Sequence, residues 1–118
     1  MTRWRSLGLL LLLAGAAFGA DVTGKWTGSL DLDNGNHGGA YVALKQQGST
    51  ITGTQGPSAA TQFPITSGRI EGGHVTIEAR PGAAVLRLTM KLAGDKLTGD
   101  VFENDEKIGT VSLQKMAR

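Results

Sequence analysis

The chain has 118 residues, no cysteine, two histidines and a formal charge of +2, from 12 Lys+Arg against 10 Asp+Glu. No basic stripe is present to displace counterions from phosphate, which sets nucleic-acid binding aside, and without thiols the chain has no disulfides. At this length one domain, held by one well-filled apolar core, is expected.

The first element is a leader. MTRWRS carries Arg3 and Arg5, and the apolar run LGLLLLLAGAAF follows, shorter than the roughly 18 residues a bilayer span requires. Small residues then precede the first acid, Asp21. This is the pattern of a secretory signal peptide over residues 1–19. Ala17 and Gly19 fit cleavage after Gly19, whereas cleavage after Ala20 would set bulky Phe18 three positions back. The mature domain is expected over residues 20–118, secreted or periplasmic, with its charges balanced once Arg3 and Arg5 leave.

Strands follow in close succession. In KWTGSLDLD, Trp26, Leu30 and Leu32 share one parity and Lys25, Thr27, Ser29 and Asp31 the other, the period-2 signature of a half-buried strand. AYVALKQ alternates through Val42 and Leu44, and STITGT centres on Ile51. FPITSGRIEG offers Phe63, Ile65 and Ile70 with a bulge expected at Gly68, and HVTIEAR offers Val75, Ile77 and Ala79. VLRLTMKLA turns Leu86, Leu88, Met90 and Leu92 one way and Arg87, Thr89 and Lys91 the other. KLTGDVFE contributes Leu97 and Val101, and KIGTVSLQKM contributes Ile108, Val111 and Leu113.

The links DNGN, QQGS, EGG, RPG, AGDK and ENDE have hairpin-turn chemistry, because glycine and asparagine reach positive φ and proline presets a corner. Only QGPSAATQ, residues 55–62, reads as longer than a hairpin needs. A meander of eight short strands hides its edges best by closing on itself, so the expected fold is all-β, an eight-stranded antiparallel up-and-down barrel; a two-sheet sandwich is the alternative. An outer-membrane barrel would want longer strands and aromatic girdles. With Trp26, Tyr41, Phe63 and Phe102 as the only aromatics after the leader, stable membrane insertion is not expected.

Gly24-Lys25-Trp26, heading the first strand, resembles the G-x-W signature of the lipocalin and wider calycin group. That resemblance implies a barrel holding a small apolar molecule, with the tryptophan across its closed end and a basic residue of the last strand over it, here Lys115 or Arg118. GTQG, SGRIEGGHV and AGDKLTGDV are also similar to segments of small exported bacterial proteins with glycine-flanked strands, in which L-x-G-D-x-L-x-G marks a late hairpin. The chain departs from lipocalins in lacking a TDY-like second motif, TGD at 98–100 being a poor substitute, and a helix after Met116. The resemblance therefore carries the fold further than the activity.

An eight-stranded barrel is just wide enough to be filled by its own side chains or to hold one small ligand. Trp26 plugs one end in the first case and floors a pocket in the second; Leu44, Phe63, Ile77, Leu88 and Met90 are then the expected further walls. DLDNGNHGG suggests a calcium loop, but its glycine and asparagine stand at the wrong positions and Val42 falls where the closing glutamate should be, so no metal site is expected. His37 reads as a solvated loop residue and His74 opens a distant strand. No G-x-S-x-G elbow is present, and Asp31/Asp33 and ENDE (103–106) look like solvated turns, so neither an enzyme nor a cofactor is expected. Two classes remain: a carrier of a small apolar molecule, or a protein-binding, inhibitor-type barrel that would engage an exported or envelope partner through its N-terminal segment or a loop, GPSAATQFP. Mass spectrometry of the exported protein should give an N-terminus at Ala20 or Asp21; a retained leader would remove the assignment to an extracytoplasmic space.

Overall fold

Each alternating segment becomes a strand: β1 (Gly24–Leu32), β2 (His37–Gln47), β3 (Thr50–Ser58), β4 (Thr61–Glu71), β5 (His74–Ala79), β6 (Leu86–Ala93), β7 (Lys96–Glu103) and β8 (Glu106–Lys115). The structure, a computed structural model, describes residues 21–117, so the expected leader and Arg118 lie outside the described residues. Every strand pairs antiparallel with its neighbour in sequence, and β1 pairs a second time, with β8, from Trp26 opposite Lys115 to Leu32 opposite Gly109. The sheet is a closed barrel, which excludes the sandwich.

Closure turns one parity of every strand inward. Val42, Ile51, Ile70, Val75, Ile77, Leu97, Val101, Val111 and Leu113 are all nearly or wholly withdrawn from water. Removing this apolar area from solvent is the main favourable term of the fold, which has no disulfide to help it. The outward parity is polar, with one local reinforcement: the Arg87 guanidinium lies 4.6 Å from the centre of the Phe102 ring and 2.6 Å from the Asp105 carboxylate.

Turn chemistry follows the sequence. Gly72–Gly73 and Asn104–Asp105 carry positive φ at both positions, the backbone that matches the twist of a two-residue hairpin. Two connections differ from expectation. Residues 55–62 are not an open loop: β3 runs through Ser58, β4 starts at Thr61, and only Ala59 and Ala60 turn between them. The register shifts between the Gln55–Phe63 and Ser58–Thr61 pairs, an irregularity that accommodates Pro57, which has no N–H for a ladder bond. The Gln62 side chain clamps this hairpin, accepting from the Thr54 hydroxyl at 2.6 Å and donating to the carbonyls of Ser58 at 2.8 Å and Tyr41 at 3.0 Å. The longest link is instead residues 80–85, between β5 and β6, tied to the β7–β8 turn by Asn104 N–H to the Val85 carbonyl and Val85 N–H to the Asn104 side chain. β4 does bulge, its register against β5 shifting between Ile65 and Ser67, just before the expected Gly68.

At several strand positions glycine lets a neighbouring backbone come close. At Gly28 and Gly99 a Cβ would overlap the backbone carbonyl of Ser112 and of Thr89, respectively. Gly99→Ala should therefore cost about 2–3 kcal/mol in urea unfolding, as overpacking that backbone must relieve, whereas Gly38→Ala, with open space around it, should change little.

Candidate functional site

The two ends of the barrel are built differently. At one end lie the start of β1, the end of β8 and the β2–β3, β4–β5 and β6–β7 turns. There the chain entering β1 folds across the opening and places Val22 at 0% exposure against the core. Trp26, 1% exposed, donates from its indole Nε1 to the Val22 carbonyl at 3.0 Å, and Val22 N–H donates to Gln46 Oε1 at 2.9 Å. Thr23 closes the same segment by accepting from Gln46 N–H at 3.0 Å. Beside it the Asp21 carboxyl is held below its ordinary value by the backbone N–H and hydroxyl of Thr23.

The G-x-W triplet has a geometric reason here. Gly24 sits at φ +140°, and a Cβ on it would come within 3.0 Å of Lys115 Cε. The side chain it admits carries Nζ to 5.9 Å from the centre of the Trp26 ring, a cation over an aromatic face. Of the two basic residues considered from sequence, Lys115 occupies this place and Arg118 is outside the described residues.

The opposite end is hollow. A cavity of about 140 Å³ lies among Leu30 of β1, Ala40 and Val42 of β2, Phe63 of β4, and Leu86 and Leu88 of β6. Its rim is formed by Gly39, Pro57 and Pro81, all exposed, the last on the 80–85 link. Ala40 leaves the space, standing where a larger inward side chain of β2 would fill it. Its walls are almost wholly apolar. The exception is Gln55, 3% exposed and paired in the ladders with Val42 and Phe63.

The six residues expected as pocket walls divide between the ends. Phe63 and Leu88 line the cavity. Trp26, Leu44, Ile77 and Met90 are buried at 1%, 5%, 0% and 3% in the packed core and are not among its walls. The sequence does not single out Gln55, Pro81 or Val22: Gln55 falls in the segment read as a long link, and only the extension of β3 past Thr54 gives it the inward parity of Ile51, while the other two have no local signal. His37 and Asp31 approach to 2.7 Å on the outside of the barrel, both well exposed, where an ion pair contributes little.

No protein-family model and no curated protein matches the chain. Among solved structures it is similar to a secretory abundant heat soluble (SAHS) protein from Ramazzottius varieornatus, at 12% identity and a TM-score of 0.53, over 83% of this chain and 97% of that one. That likeness concerns the fold. Together with the closed eight-stranded meander it defines the class, a small antiparallel up-and-down β-barrel.

The filled end generates a stability prediction. Trp26→Phe strands the Val22 carbonyl and leaves ring volume empty, so unfolding should lose about 2–4 kcal/mol in urea titration. Lys115→Ala, which removes a partly exposed cation, should cost about 0.5–1 kcal/mol.

Proposed function

We propose that this chain is an exported, non-enzymatic barrel that holds one small apolar molecule in the cavity at its open end. The observation that carries the reading is that cavity: concave, walled by Leu30, Ala40, Val42, Phe63, Leu86 and Leu88, and rimmed by glycine and proline rather than by charge. Sites for small molecules are typically of this kind, preformed and mostly apolar, with few polar groups, and the mouths of β-barrels are a common location. Export rests on the leader pattern of residues 1–19. The non-enzymatic reading rests on the sequence, which offers two histidines, no cysteine and no nucleophile elbow.

The size of the cavity narrows the cargo. About 140 Å³ is close to the ~150 Å³ that accommodates a benzene-sized guest, well short of a haem or a retinoid. The alternative is a protein-binding barrel that engages an exported partner through its N-terminal segment or residues 56–64; the latter are paired strand and a two-residue turn and not an extended loop, which makes the carrier the better supported reading.

Titration with toluene followed by methyl NMR should shift Ala40, Val42, Leu86 and Leu88 while Trp26 emission stays constant, since the indole is at the other end. Ala40→Leu should fill the space and abolish those shifts with the circular dichroism unchanged. No binding, or binding indifferent to Ala40→Leu, would remove the ligand-site reading.

A further inference from the structure

We infer that the molecule held in this cavity is a small neutral alcohol or phenol: an apolar body about one six-membered ring in size, whose hydroxyl hydrogen-bonds the side-chain amide of Gln55. The inference rests on the cavity being a ligand site and adds to it the chemical class of the ligand.

Gln55 occupies an inward strand position at which its ladder partners, Val42 and Phe63, are apolar. Its Oε1 is out of contact with water and, among the described residues, has no hydrogen-bond partner. Buried polar atoms are nearly always paired, because an unpaired one loses its hydration without replacement. Two other glutamines show what a structural role looks like here. Gln62 satisfies its amide on Thr54, Tyr41 and Ser58, and Gln46 satisfies its own on Val22 and Gly48. Among the described residues Gln55 clamps nothing.

Its partner must therefore come from outside the folded chain. A lone water is a poor candidate, since a buried water needs two to four polar partners and Gln55 is the one polar side chain in the cavity wall. A carboxylate or phosphate is worse, because no lysine or arginine lines the cavity and a buried anion without a counter-charge is strongly disfavoured. A neutral hydroxyl fits. It both donates and accepts, as the amide does, and rotation about the last torsion of Gln55 brings either end of the amide to the cavity wall.

Phenol, toluene and benzoate, nearly equal in size, separate these possibilities by calorimetry and methyl NMR on the mature protein and on Gln55→Leu. Phenol should bind the native chain at least as tightly as toluene although it is the less hydrophobic of the two, and benzoate should not bind. In Gln55→Leu, phenol should weaken about tenfold, the scale of one buried hydrogen bond, while toluene holds or tightens. Toluene binding more tightly than phenol to the native chain, with phenol unaffected by Gln55→Leu, would overturn the hydroxyl and leave the cavity as an apolar site. Benzoate binding in the cavity would overturn the neutrality of the ligand. Failure of both toluene and phenol to bind would overturn the ligand site itself. Should Gln55→Leu not fold, Gln55→Met tests the same loss, and the comparison on the native chain decides without any variant.

Discussion

The pairing of β1 with β8 is the constraint on which everything else depends. Without that ladder the chain would be an open sheet with one largely apolar face in water and two unpaired edges. Once it forms, the same face becomes an interior and no edge remains. The seam is narrow, and glycines stand in it on both sides. Gly28 faces Leu113 and Gly109 faces Leu32, and at each a Cβ would collide with the backbone of the opposite strand. Alanine would hold the two strands apart at both positions, so glycine here serves close approach rather than turning.

Closure also forces a choice about the interior, and the two ends resolve it in opposite ways. Trp26 and Val22 fill one end, with the indole N–H spent on the carbonyl of the residue that lies across it. Large side chains meet large ones there, and the plug leaves its backbone groups paired. At the other end the inward residues of β2 shrink to Ala40, while the rigid rings of Pro57 and Pro81 stand at the rim. Interiors ordinarily pack to crystal density, so a void opposite a well-filled plug belongs to the design of this end and is not looseness of the whole.

The glutamines of β2, β3 and β4 divide by whether their amides are met. Gln46 at the filled end and Gln62 on the β3–β4 hairpin hold neighbouring backbone in place. Gln55, at the hollow end, leaves its buried Oε1 without a partner among the described residues. A glutamine at an inward position of an eight-stranded barrel, bounded by valine and phenylalanine, weakens the core it sits in unless its amide is met. The strand fold and the recognition of a ligand thus make opposite demands on position 55, and the residue present serves the ligand.

Strand number, strand parity, turn positions and the all-β class were readable in the sequence, because alternation and turn chemistry are properties of a few adjacent residues. Leu86, Leu88, Met90 and Leu92 face inward for the same reason in any sheet that buries one side. The tryptophan at the head of β1 was readable too, as was the need for glycine two residues before it, although not that Gly24 makes room for Lys115. Residues 55–62 misled, since Gly, Pro, Ser and Ala have the composition of a loop, and only the grip of Gln62 on three backbone or side-chain partners makes a hairpin of them. Which inward residues fill the barrel and which surround a space was likewise decided in three dimensions. Phe63 and Leu88 share a parity with Ile77 and Met90, yet the first pair borders the cavity and the second does not. Emptiness is the difference between the volume a cylinder encloses and the side chains sent into it from strands far apart in the chain, so it is a property of the closed sheet and of no single segment.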